Sequence, residues 1–138
     1  MISCLLVTAA CCVLVFSGCE GAPQRQPIEG IVTLDGQPLE KGHVSFVPLQ
    51  GTKSPTAGSE IVDGKFSILR EKGTFVGRFR VEVTAGRPTG RKMADLMTGE
   101  PREVYEQFIA DKYNTKSELE AEVKGDGRNV FEFAVISK

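Results

Sequence analysis

The chain has no tryptophan, a single histidine, and no cysteine after position 19 of its 138 residues. Each absence removes a class of chemistry. Cys4, Cys11, Cys12 and Cys19 all lie in the first 19 residues. The remainder therefore holds no disulfide framework, no cysteine-based zinc site and no cysteine nucleophile. With His43 as the only imidazole, the usual metal sites lack their second ligand, and no sequence context places that one base beside a Ser and an acid as a triad needs. Charge of one sign is also lacking: 17 Lys+Arg stand against 18 Asp+Glu, a formal net charge of −1. Without a concentrated basic surface there is no electrostatic case for nucleic acid. Aromatics are few, at 7 %, whereas glycine is frequent, at 15 residues, with 7 prolines. That balance favours a turn-rich β domain over a helical bundle.

The apolar residues that are present fall into two kinds of pattern. Positions 5–16 form an uncharged, mostly apolar run of 12, and the first charge in the chain is Glu20. This is too short for a membrane-spanning helix, which needs about 20 residues, and suits the apolar region of a secretory signal. Phe16-Ser17-Gly18-Cys19 follows and resembles a bacterial lipobox. The reading is a signal peptide over 1–18, with Cys19 acylated as the new N-terminus and holding the chain at the cell envelope. The segment 19–27, with Gly, two Pro and no apolar periodicity, reads as a flexible tether. The folded domain is expected over 28–138.

From there the pattern has period two, the signature of strands with one wet and one buried face. Strands are expected at 28–34, 43–48, 56–62, 65–69, 77–85, 118–124 and 129–136. Asp35-Gly36 and Asp63-Gly64 supply the turn chemistry of tight connections. In 77–85, Phe79, Val81, Val83 and Ala85 alternate with Arg78, Arg80, Glu82 and Thr84. Seven such strands predict an all-β fold, a β-sandwich. Phe46, Phe66, Phe79, Val81, Val83, Leu119, Val123, Phe131 and Phe133 are the expected core. One segment departs from the pattern. Positions 86–92 read as a Gly/Pro/basic loop, and 100–111, with Val104/Phe108 and Tyr105/Ile109 at i, i+4 spacing, predict a short helix in the insertion between strands five and six.

The order of these pieces resembles a known group. Residues 28–39 (IEGIVTLDGQPL) followed by 42–48 (GHVSFVP) are similar to the opening of carboxypeptidase regulatory-like, transthyretin-like domains. Residues 63–68 (DGKFSI) and 77–83 (GRFRVEV) are similar to later segments of the same domains. Residues 111–114 (DKYN) and 118–123 (ELEAEV) look like the tail of the small lipoprotein version found in planctomycete bacteria. The resemblance implies a prealbumin-like sandwich, accessory or binding in character, without catalysis and without a cofactor. The hydroxyisourate hydrolases of this fold have two histidines and a C-terminal Tyr-Arg-Gly-Ser. This chain has one histidine and ends Val135-Ile136-Ser137-Lys138.

Candidate binding residues concentrate in the insertion, since loops on a rigid scaffold are where recognition residues gather. They are Arg87, Arg91 and Lys92 of the basic loop, with Tyr113 and Asn114. Asp63, Asp111 and Asp126 fall in turns but form no Ca²⁺-loop series, so no metal is expected. Glu118, Glu120 and Glu122 read as a solvated stripe rather than paired catalytic acids. The expected partners are the membrane, through Cys19, and an envelope protein or glycan. A binding module and an accessory subunit of an envelope enzyme are the two functional classes that remain.

Overall fold

Two Asp-Gly pairs set the register of the fold. In the computed structural model, which describes residues 21–138, Asp35 and Asp63 both have φ of 50°, and the glycines after them have φ of 85° and 78°. Two successive residues with positive φ make the turn whose twist matches paired strands, and Asp-Gly adopts it at low cost. The first turn joins β1 (Ile28–Leu34) to the short β2 (Gln37–Pro38); the second joins β4 (Ala57–Val62) to β5 (Lys65–Ile68). The other strands are β3 (Lys41–Pro48), β6 (Gly77–Thr84), β7 (Gly86–Ala94), β8 (Pro101–Gln107), β9 (Glu120–Val123) and β10 (Asn129–Val135). Single 3-10 turns occupy Arg70–Lys72 and Asp111–Tyr113.

The chain is all-β. Each of the seven segments with period-two patterning is a strand, and together they form one sheet in the order β10-β1-β5-β4-β3-β6-β9, with β2 on β1. The β10–β1 pair is parallel and the other pairs are antiparallel. The sheet curls over on itself. Phe46 of β3 meets Phe66 of β5 at 6.0 Å and Phe131 and Phe133 of β10 at 5.9 and 6.3 Å between ring centroids. Strands far apart in the sheet order are thus face to face across one core. Phe46, Phe66, Phe79, Val81, Val83, Val123 and Phe133 are buried there, and Leu119 and Phe131 pack half-buried against them.

The insertion corrects the sequence reading twice. The expected helix over 100–111 is absent: 101–107 is the strand β8. The expected loop over 86–92 is most of the strand β7, and the two form a separate two-stranded sheet. The i, i+4 pairs that suggested a helix would have needed one buried stripe. Only Ile109 of that stripe is buried, whereas Tyr105 is 63 % exposed. Cross-strand partners take over instead, with Arg87 opposite Glu106, Lys92 opposite Glu103 and Met93 opposite Arg102. Pro88 and Gly90 are tolerated because each strand of a two-stranded ribbon is an edge, and the register shift between Pro88 and Lys92 absorbs Gly90 at φ 77°.

Strand directions define two ends of the body. β1, β4, β6 and β10 run one way; β3, β5 and β9 run the other. The chain enters at the end where β1 and β6 begin. There the Gln26 amide donates to the Thr74 carbonyl at 2.6 Å. The Arg25 guanidinium donates to the Gly73 carbonyl at 2.7 Å and lies 5.6 Å from the centre of the Phe75 ring. The stretch read as tether is therefore held against the body from Arg25 onward. Cys19 and the signal segment lie outside the described residues. The β7–β8 hairpin leaves the opposite end, directly after β6.

Candidate functional site

The hairpin is fixed at its root and at its tip. At the root, Gln107 Oε1 accepts the amides of Ala85 and Ile109, each at 3.0 Å, and the Phe108 amide donates to the Ala85 carbonyl at 3.2 Å. One side chain thus clamps the entry of β7 and the exit of β8. Beyond it, the Arg87 side chain donates to Glu106 at 2.9 Å and lies 5.7 Å from the centre of the Phe108 ring. Thr89 Oγ1 donates to the Val104 carbonyl at 2.9 Å, stitching the bulge to the partner strand.

At the tip, Asp95 organises the connection. Its carboxylate accepts the amides of Met97 and Thr98 at 2.8 and 3.1 Å. Its own amide donates to the Glu100 carbonyl, and its carbonyl accepts from Gly99, both at 2.8 Å. Gly99 has φ of 74°, a conformation that favours glycine. Arg102 Nη1 lies 3.6 Å from the second carboxylate oxygen. Acceptance of the two backbone hydrogen bonds holds the Asp95 carboxyl below the usual carboxylate range. The loop these bonds immobilise carries Leu96 and Met97, which are 102 % and 93 % exposed. Met93 and Tyr105, also exposed, lie along the same ribbon.

The five residues singled out in the sequence share this end of the body but do not form one surface. Arg87 is engaged with Glu106 and Phe108. Arg91 and Lys92 are exposed on β7, with no ion pair among the described residues. Tyr113 is half-buried against the core, with the Lys112 ammonium 5.1 Å from its ring centre. Asn114 is only 3 % exposed. Its amide donates to the carbonyls of Ile109 and Ala110, both at 3.1 Å, and its oxygen accepts from the Thr115 amide at 2.7 Å. Asn114 is thus a fastener for the segment leaving the hairpin, with its polar atoms turned inward.

Leu96 and Met97 are the residues that sequence reasoning missed. Their signal was present as two adjacent apolar side chains in a stretch, Asp95 to Gly99, whose Asp, Thr and Gly mark a turn. His43 is exposed, and among the described residues no cluster of three or more His, Asp or Glu is placed to hold a metal ion. Asp111, the second carboxyl held below its usual range, accepts from the Lys138 ammonium at 2.9 Å. Both shifted carboxylates are stabilised as anions by structural contacts, which makes them weak bases rather than poised acids. No family model matches the chain, and neither a curated protein nor a solved structure matches it.

Proposed function

We propose that this chain is an extracytoplasmic lipoprotein, held in the cell envelope through acylated Cys19, whose doubled sheet serves as a non-catalytic binding or accessory module. In this reading the doubled sheet is a prealbumin-like sandwich of the carboxypeptidase regulatory-like kind, with the β7–β8 hairpin added as its contact element. What supports the sandwich is the face-to-face packing of β3 against β10. What supports contact through the hairpin is one observation: Leu96 and Met97 stand fully exposed on a turn whose backbone is immobilised by Asp95.

Single exposed apolar residues are ordinary on protein surfaces. Two adjacent ones on a fixed turn make an apolar tip, behind which the exposed Met93 and Tyr105 fall on opposite faces of the ribbon. A preformed turn has already lost the conformational freedom that binding would otherwise remove, and methionine adapts its shape to a partner. Aliphatic and thioether side chains at the tip suit an apolar recess on an envelope protein better than a glycan.

The test is site-specific photocrosslinking in cells, with the crosslinking residue at position 105 on the hairpin or at position 62 on the sheet face. The reading expects an adduct of defined mass from position 105, absent from position 62 and lost when Leu96→Ser and Met97→Ser are added. Identical adducts from both positions, or adducts indifferent to the tip changes, contradict it.

A further inference from the structure

The charge of this chain is balanced in sum and segregated in space. The loops at the end where the chain enters (21–27, 49–56, 69–76 and 124–128) carry Arg25, Lys53, Arg70, Lys72, Lys124 and Arg128 against Glu71 and Asp126, with Arg128 also paired to Glu29 at the start of β1. The loops and hairpin at the far end carry seven cations against nine carboxylates. The eight residues of β6 separate the two ends by about 25 Å at about 3.3 Å per residue. That is some three screening lengths at physiological salt, so each end presents its own sign to whatever approaches it.

The basic end has two further properties. It exposes Leu69 and Val76 among its cations, and Lys53 borders the same shallow depression as Phe75 and Val76. It is also where the chain outside the described residues attaches. Arg25 is docked on Gly73 and Phe75. Only five residues separate it from Cys19, a span of about 20 Å when fully extended. A membrane attachment at Cys19 therefore keeps this end close to the bilayer and leaves the acidic hairpin end facing away.

We propose that the basic end is a docking face for the anionic phospholipid headgroups of the membrane that receives the N-terminal segment. Lys53, Lys72 and Lys124 contribute charge, and Leu69 and Val76 contribute apolar contact. A basic surface next to a hydrocarbon anchor adds its own attraction to anionic lipid, and one anchor signal is commonly supplemented in this way. The inference rests on the reading that the N-terminal segment is membrane-attached, but its test does not depend on acylation of Cys19.

The full chain is sedimented with phosphatidylcholine vesicles and with vesicles that also contain phosphatidylglycerol. Any acyl chain or apolar N-terminal segment contributes to both, so the difference isolates the headgroup term. The charge-reversed triple variant Lys53→Glu, Lys72→Glu, Lys124→Glu is expected to bind the phosphatidylglycerol vesicles at least about tenfold more weakly. The variant Lys41→Glu, Lys65→Glu, Lys116→Glu, with the same net charge, should keep most of the binding. All six lysines are exposed and none forms an ion pair among the described residues, and thermal unfolding verifies that both variants fold. Equal binding to the two vesicle types, or equal loss in the two variants, overturns the proposal. An unmodified Cys19 alongside a retained phosphatidylglycerol preference would instead refute the lipoprotein reading and leave this face intact.

Discussion

Replacing Phe46 by alanine tests whether the curled sheet is held by contact across its core. Phe46 is 0 % exposed and is the ring that joins strands not hydrogen-bonded to one another, touching Phe66, Phe131 and Phe133. Truncation removes a fully buried ring and leaves a cavity that rigid strands cannot close. The cost for such a site is about 3–5 kcal/mol, with tilted contacts to three other rings placing it toward the upper part of that range. Against a total stability of about 5–15 kcal/mol, that is a large share, and it corresponds to a fall in Tm of about 12–20 °C at roughly 4 °C per kcal/mol. Ser45, one residue earlier and on the opposite phase, is the control: Ser45→Ala should change stability by no more than about 0.5 kcal/mol. Urea unfolding followed by circular dichroism gives both values. A double-mutant cycle with Phe133→Ala should show a coupling of about 0.5–3 kcal/mol, because the rings share one packed cluster. Equal midpoint shifts for Phe46→Ala and Ser45→Ala, or strict additivity with Phe133→Ala, would refute the packing argument.

Two further outcomes follow from the hairpin and its exit. Asn114→Ala should lower stability by about 1–3 kcal/mol in urea unfolding, since it strips the partners from the carbonyls of Ile109 and Ala110; a neutral result would return Asn114 to the list of candidate binding residues. The Asp95 carboxyl, held below its ordinary value by the Met97 and Thr98 amides, contributes to the turn above the unfolded pKa of about 3.9 and loses that contribution as pH falls through the lower folded value. In NMR titration the Met97 and Thr98 amide signals should therefore move only below about pH 3.9, and Asp95→Ala should abolish the transition; a midpoint above that value would contradict the assigned geometry.

The strands of the main sheet were legible because side-chain phase is a local property. Phe79, Val81 and Val83 alternate with Arg78, Arg80 and Glu82, and one wet face and one dry face need no other information. The β7–β8 hairpin was not legible for the same physical reason. A ribbon exposed on both faces has no inside, so alternation does not mark it. Gly86, Pro88 and Gly90 then read as breakers, and Val104/Phe108 reads as helical spacing. Within the candidate site, the chemistry of Arg87, Arg91 and Lys92 was visible as composition. The burial of Asn114 depends on backbone carbonyls that only the folded chain brings to it. The basic end was invisible in sequence, since it is assembled from four loops separated by three stretches of strand.

Anchoring of the chain at its N-terminus is tested most directly by intact-mass measurement of the protein extracted from membranes. The predicted result is a chain beginning at Cys19 and heavier than its amino-acid sequence by a diacylglyceryl group, with the mass falling to that of the unmodified chain in Cys19→Ser. A chain that begins at another residue, or one that begins at Cys19 with no added mass, would contradict it.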